Sequence, residues 1–141
     1  MLLPKMELKK PQIIKLPKIT DPRGNLSVIQ SLDNLPFDIA RCYWIYDVPS
    51  GMGRDGHAFY ASSELIVALS GSFSVEVDDG GEVATYHLNR PDMGLYLPPM
   101  VWRSLKEFST NAVAMLLSSE LYDPADYIND YNQFRQINET R

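Results

Sequence analysis

Turn-forming clusters recur through the middle of this chain and cut it into segments too short for long helices. "DPRGN" (Asp21 to Asn25), "DNLP" (Asp33 to Pro36), "DDGG" (Asp78 to Gly81) and "NRPDMG" (Asn89 to Gly94) carry the glycine, proline, asparagine and aspartate that tight turns require. The runs between them are "RCYWIYDV", "ELIVALSG", "SFSVEVD", "VATYHLN", "GLYLPP" and "AVAMLLSS", rich in β-branched, leucine and aromatic residues. "SFSVEVD" alternates strictly, so one of its faces is buried. Many short strands at this spacing predict an all-β sandwich or barrel. A length of 141 residues with 45% hydrophobic content supplies one compact core and not two, so a single domain over 1–141 is expected.

The ends read differently. Pro4, Pro11 and Pro17 imply an extended N-terminal arm over about residues 1–18, followed by the barrel over 19–120. In "DPADYINDYNQF", Asp123 is a candidate N-cap and Pro124 a first helical residue, and Tyr127, Ile128, Tyr131 and Phe134 share a helical face. These features predict a short amphipathic helix over 123–136. The net charge of −5 argues against nucleic acid as a partner, because a phosphate backbone demands a basic face. "MLLPKMELKK" lacks the apolar core of a signal peptide, and no run reaches the roughly 20 apolar residues of a membrane span. A soluble protein is expected. Its single cysteine, Cys42, excludes an intramolecular disulfide and a cysteine-based zinc cluster, fits a reducing cytoplasm, and reads as a small buried apolar residue rather than a nucleophile.

In "SGMGRDGHAFYASSELIVALSGSF", Gly51, His57, Phe59, Glu64 and Gly71 reproduce the spacing of the first cupin motif, G-x5-H-x-H-x4-E-x6-G, with Phe59 at the second histidine. Residues two apart on a strand share a face, so positions 57 and 59 point together and a turn returns position 64 beside them. "PDMGLYLPPMVWRSL" resembles the second cupin motif, with Arg103 at the usual fourth-ligand histidine. The resemblance implies an all-β cupin (RmlC-like) jelly-roll β-barrel with a short C-terminal α-helix. Only His57 and Glu64 remain of the metal-binding quartet, and a guanidinium does not bind a cation, so no metal is expected. His57, Glu64 and Arg103 are instead expected to form a polar cluster inside the barrel. Arg103 would hold Glu64 ionised or clamp an anionic substrate group, and histidine, with an unperturbed pKa of about 6.5, exchanges protons near neutrality.

A narrower resemblance covers about residues 19 to 135. "DPRGNLSVI", "PFDIARCYWIYDVPSGMGRDGHA", "ALSGSFSVEVDDG", "GLYLPPMVWRSLKEFS" and "SSELYDPADYINDYNQF" are similar, in unbroken order, to the sugar 3,4-ketoisomerase family of cupins. That family converts dTDP-4-keto-6-deoxyglucose to a 3-keto isomer in deoxyamino-sugar biosynthesis. The resemblance implies a cofactor-free homodimer in which N-terminal strands exchange between subunits, with a dTDP-sugar in the barrel mouth. The family pattern R-G-x-H-A-H-K meets "RDGHAFY" here, so Arg54 and His57 match while Phe59 replaces the second histidine and Tyr60 the lysine. Arg41 and Tyr43 in "RCYW" match positions that approach the substrate, and Arg23 in "DPRG" matches a phosphate or nucleotide contact.

Isomerisation between adjacent carbonyl and hydroxyl carbons passes through an enediol and needs a proton removed from one carbon and returned to its neighbour. His57 is the candidate base, with Tyr43 and Glu64 as helpers, and Arg23, Arg41, Arg54 and Arg103 as candidate substrate-binding residues. Each has a structural alternative: Glu64 as a buried partner of Arg103, His57 as a hydrogen-bonded wall residue, the other arginines as solvated loop charges. Alternation on one strand assigns Tyr43 inward and Trp44 to packing. Tyr96 and Trp102 read as core residues, Trp102 beside Arg103 at the barrel mouth, and His87 as a surface or strand-edge residue. Three functions remain open: a ketoisomerase, a catalytically impaired nucleotide-sugar-binding paralogue, and a dTDP-sugar epimerase.

Overall fold

The computed structural model describes residues 9–140. In chain order the strands are β1 (Gln12–Lys15), β2 (Ile19–Asp21), β3 (Gly24–Leu26), β4 (Arg41–Ile45), β5 (Arg54–Phe59), β6 (Glu64–Ser70), β7 (Phe73–Asp78), β8 (Val83–Leu88), β9 (Met93–Leu97), β10 (Trp102–Lys106), β11 (Val113–Ser118) and β12 (Tyr127–Ile128), and the helix α1 spans Tyr131–Glu139. Two five-stranded sheets, in the orders β1-β9-β6-β11-β4 and β12-β5-β10-β7-β8, are accompanied by the hairpin β2-β3. The sheets pack as an antiparallel jelly-roll sandwich and do not close into one continuous barrel.

The alternation of "SFSVEVD" sends Phe73, Val75 and Val77 between the sheets, where they meet Ile66, Ala68, Leu95, Leu97, Leu105, Ala114 and Leu116. Each valine, leucine, isoleucine or phenylalanine among them, fully buried, contributes about 1.5–3 kcal/mol. β6 is apolar on both faces for a separate reason. Its outward Leu65 and Val67 lie, with Tyr96 and Leu117, beneath Ile14, Leu16, Leu35 and Phe37. Pro11 and Pro17 bracket β1, which pairs with β9 from Gln12↔Tyr96 to Lys15↔Met93. Pro4 lies outside the described residues.

The continuous helix expected over 123–136 is divided. Asp123 does cap a turn and Pro124 does open it, but that turn is a 3₁₀ segment that stops at Asp126. Tyr127 and Ile128 then pair with Phe59 and Ala58, covering the edge of β5, whose backbone groups would otherwise stand unpaired. The helix restarts at a second cap, Asp130, whose carboxylate accepts from the amides of Asn132 and Gln133. Phe134 and Ile128 pack with Ala58 and Met100 on the outer face of the second sheet.

Two packing expectations on β4 are also corrected. Cys42 is exposed, and so is Trp44, at 59%. Both lie on the outward face of β4, which is an edge strand, and among the described residues that face stays exposed. Trp102 turns away from Arg103 and packs against Tyr131 and Phe134 of α1, with ring centroids 5.3 and 5.8 Å apart. Tyr96 is buried, and His87 is exposed on the edge strand β8.

Trp102 fits because Gly56 faces it. A Cβ at position 56 would lie 2.5 Å from Trp102 Nε1 and 2.7 Å from Cε2 and Cζ2. Gly56→Ala is therefore expected to displace the indole, loosen α1 and destabilise the protein by about 1–3 kcal/mol. Urea denaturation checks this, and an unchanged midpoint would contradict it.

Candidate active site

His57 and Phe59 leave β5 on the inner side, as their spacing requires, while Ala58 between them joins the outer cluster under α1. The β5–β10 register sets His57 directly across from Arg103. Arg103 is 1% exposed and Glu64 fully buried, and they meet in an ion pair with Arg103 Nη1 donating to Glu64 Oε1 at 2.8 Å. Arg103 Nε and Nη2 also donate to the Val101 carbonyl, at 3.3 and 3.2 Å. The second carboxylate oxygen accepts from Tyr43, whose hydroxyl lies 2.5 Å from Glu64 Oε2. Tyr43 points inward from β4, so this chain of contacts joins the two sheets.

Burial dominates the electrostatics. It pushes the Glu64 carboxyl up, while Arg103 and Tyr43 pull it back. It also raises Tyr43 well above the ordinary tyrosine range, with the neighbouring Glu64 charge adding to the effect, so the phenol keeps its proton at neutral pH. Both Glu64 oxygens are occupied by protein donors, and a guanidinium lies beside them. That donor set does not fit a metal ion.

These groups border a cavity of about 590 Å³ lined by Tyr43, Arg54, His57, Arg103, Leu116 and Tyr127, among others. Arg54 is exposed at its rim. Arg41 stands beside it, its guanidinium 4.8 Å from the Tyr43 ring centroid and 5.5 Å from that of Tyr122. Arg41 Nη2 donates to the Tyr127 hydroxyl at 3.3 Å. Phe59 is fully buried under this group, its ring centroid 5.0 Å from the Arg103 guanidinium and 4.9 Å from that of His57. Of the residues singled out from sequence, Tyr43, Arg41, Arg54, His57, Glu64 and Arg103 thus come together. Arg23 does not join them within one chain: it sits on the exposed β2–β3 hairpin, paired with Asp21 at 2.7 Å. His87 is also apart, its Nδ1 3.2 Å from Ser74 Oγ.

Sequence reasoning missed Tyr127 and Tyr122. Tyr127 was placed on a helical face, and the signal that relocates it is tertiary, the pairing of β12 with β5.

The chain as a whole matches known proteins along nearly its full length. The family described as FdtA: WxcM-like, C-terminal matches residues 9–139. This chain belongs to that family. It is 38% identical over 125 residues to the TDP-4-oxo-6-deoxy-alpha-D-glucose-3,4-oxoisomerase of Aneurinibacillus thermoaerophilus, covering 89% of this chain and 90% of the relative. Among solved structures, a sugar 3,4-ketoisomerase of Thermoanaerobacterium thermosaccharolyticum in complex with TDP superposes with a TM-score of 0.91 at 32% identity, over 96% of this chain and 98% of that one. A TDP-quinovose 3,4-ketoisomerase of Campylobacter jejuni gives a TM-score of 0.87 at 36% identity, over 91% of this chain and 98% of that one. The FdtA, WxcM-like fold is therefore the jelly roll that the cupin spacing predicts, and the Glu64–Arg103 pair is buried between its two sheets. Among the described residues no helix is long and apolar enough to cross a membrane.

Proposed function

We propose that this protein is a nucleotide-sugar isomerase that moves the carbonyl of a dTDP-4-keto-6-deoxyhexose from C4 to C3. The observation that carries the reading is the cluster itself: His57 beside the half-buried Tyr43 and the buried Glu64–Arg103 pair, at a cavity with Arg54 on its rim and Arg41 against the Tyr43 ring. The similarity to TDP-sugar 3,4-ketoisomerases supports the substrate class.

In this reading His57 removes the C3 proton, which is acidic because it lies next to the C4 carbonyl. The electron pair of the C3–H bond forms the C3–C4 double bond, and the carbonyl electrons move onto the C4 oxygen, giving the enediolate, which becomes the enediol when that oxygen is protonated. His57 then returns the proton to C4. The C3 hydroxyl must lose its own proton as the new carbonyl forms. Tyr43 takes that proton while passing its own to Glu64, whose basicity is raised by burial. Arg103 keeps Glu64 in place and compensates its charge between turnovers. Arg41 and Arg54 bind the diphosphate, for which a guanidinium offers paired N–H donors.

Phe59 favours a second reading, a nucleotide-sugar-binding relative with weakened catalysis, since a fully buried hydrocarbon ring stands at the second histidine. dTDP binding is common to both readings. Titration calorimetry is expected to show it, with Arg54→Ala weakening the complex by about 10-fold to 100-fold, the worth of one charge-assisted hydrogen bond. No detectable dTDP binding by the native chain would contradict both.

The assembly in this reading is a cytoplasmic homodimer. Ile19 and Leu26 of the β2–β3 hairpin are 57% and 58% exposed, and Leu69 is 46% exposed at the end of β6. A groove of about 550 Å³ beside them is lined by Leu16, Ile29, Val67, Met115 and Leu117. A second copy covers this apolar surface, and exchange of N-terminal strands carries the hairpin, with Arg23 at its turn, onto that copy. Light scattering is expected to give a dimer; a monomer at micromolar concentration would contradict it.

A further inference from the structure

Given the ketoisomerase reading, we propose that Tyr127 is a second acid of this site and protonates the C4 oxygen of the sugar as the enediol forms. The register of β12 fixes its direction: Ile128 pairs with Ala58 and is buried under α1, so Tyr127, paired with Phe59, faces inward. Its ring meets those of Phe59 at 4.6 Å and His57 at 5.2 Å, which sets the phenol beside the position where the resembling enzymes carry their second histidine. Tyr127 and Tyr43 both line the cavity, and they reach it from opposite sheets.

The placement is built rather than incidental. The Asp126 carboxylate accepts from the amides of Ala61 and Ser62, at 2.7 and 3.2 Å, and from the Ser62 hydroxyl at 2.6 Å. The Asp126 carbonyl accepts from the Tyr60 amide at 3.0 Å. The residue just before Tyr127 is thus pinned to the β5–β6 turn. On the other side Arg41 Nη2 donates to the phenol oxygen, so the Tyr127 hydrogen remains available for the sugar, and a guanidinium stands ready to stabilise the phenolate left behind. Tyr43 differs, since its hydroxyl already donates to Glu64.

The proton balance closes. The C4 oxygen gains a proton from Tyr127, the C3 oxygen loses one through Tyr43 to Glu64, and His57 carries the carbon-bound proton from C3 to C4. To reset the site, Glu64 hands its proton back to Tyr43, and the proton that Tyr43 took from the C3 oxygen passes across the cavity that both phenols line to the Tyr127 phenolate, so no cofactor is consumed.

Tyr127→Phe removes the hydroxyl and leaves the ring packing. The test measures isomerisation of dTDP-4-keto-6-deoxyglucose, together with the affinities of that compound and of dTDP, for the native protein and Y127F. Turnover is expected to fall by about 10²-fold or more, and the extra affinity that the keto sugar contributes over dTDP, a ratio that cancels any change through Arg41, to fall about threefold to tenfold. Equal turnover in Y127F and an active native protein would overturn the role of Tyr127 and leave the ketoisomerase reading intact. If the native protein binds the keto sugar but does not isomerise it, the ketoisomerase reading fails. The contact at Tyr127 then stands if the sugar-dependent affinity falls in Y127F and is overturned if it does not. A native protein that binds the keto-sugar nucleotide no more tightly than dTDP also overturns it.

Discussion

Phe59→His is expected to raise ketoisomerase turnover, and His57→Ala to abolish it. A positioned acid or base contributes about 10²- to 10⁴-fold in rate, which sets the scale of both effects. Positions 57 and 59 face the same side of β5, and the ring at 59 already lies 5.0 Å from the Arg103 guanidinium, so an imidazole there enters the polar cluster directly. Because Tyr127 presents a hydroxyl next to the same ring, the gain from Phe59→His falls toward the lower end of that range. Steady-state kinetics on both variants and the native chain checks this. Native turnover as fast as that of a two-histidine relative, with Phe59→His slowing it, would mean that Phe59 belongs to a different and fully adapted chemistry.

Arg103→Ala is expected to cost about 3–5 kcal/mol of stability, because it strands the Glu64 carboxylate in a fully buried position. Removing both charges is a different matter. A buried ion pair replaced by apolar residues of similar volume is often neutral in stability. Glu64→Leu combined with Arg103→Met is therefore expected to fold to near-native stability and still lack activity, since Tyr43 loses its proton acceptor. Urea denaturation of the single and double variants distinguishes the cases. A loss below about 1 kcal/mol in Arg103→Ala would show that water or another group reaches Glu64, contrary to its burial here.

The sandwich was legible because its strands are short, apolar and bounded by strong turn residues, and those features are local. The convergence of His57, Phe59, Glu64 and Arg103 was legible too, since a two-residue period fixes facing and the spacing to Glu64 spans one turn. What escaped is tertiary. Asp123 and Pro124 are sound helix-opening signals and do open a turn, but the unpaired edge of β5 outcompetes further helix and draws Tyr127 and Ile128 into a strand. Hence the phenol beside His57 was assigned to a helical face. The outward turn of Cys42 and Trp44 was implicit in the alternation that aimed Tyr43 inward, yet alternation does not say whether an outer face is covered. The outer face of β6 is covered and, among the described residues, that of β4 stays exposed, β6 lying inside its sheet and β4 at the edge.

The central claim, that His57 moves a proton between adjacent carbons of a dTDP-linked keto sugar, is tested most directly by incubating the native protein with dTDP-4-keto-6-deoxyglucose in deuterium oxide and following the product by NMR. The predicted result is a carbonyl that migrates from C4 to C3, slowly in the native chain and not at all in His57→Ala, with C4 carrying the hydrogen moved from C3 where the His57 proton outruns exchange and deuterium where it exchanges with solvent. Deuterium incorporated with inversion beside a carbonyl that stays at C4 would identify an epimerase instead, and a substrate left unchanged would contradict turnover on this sugar.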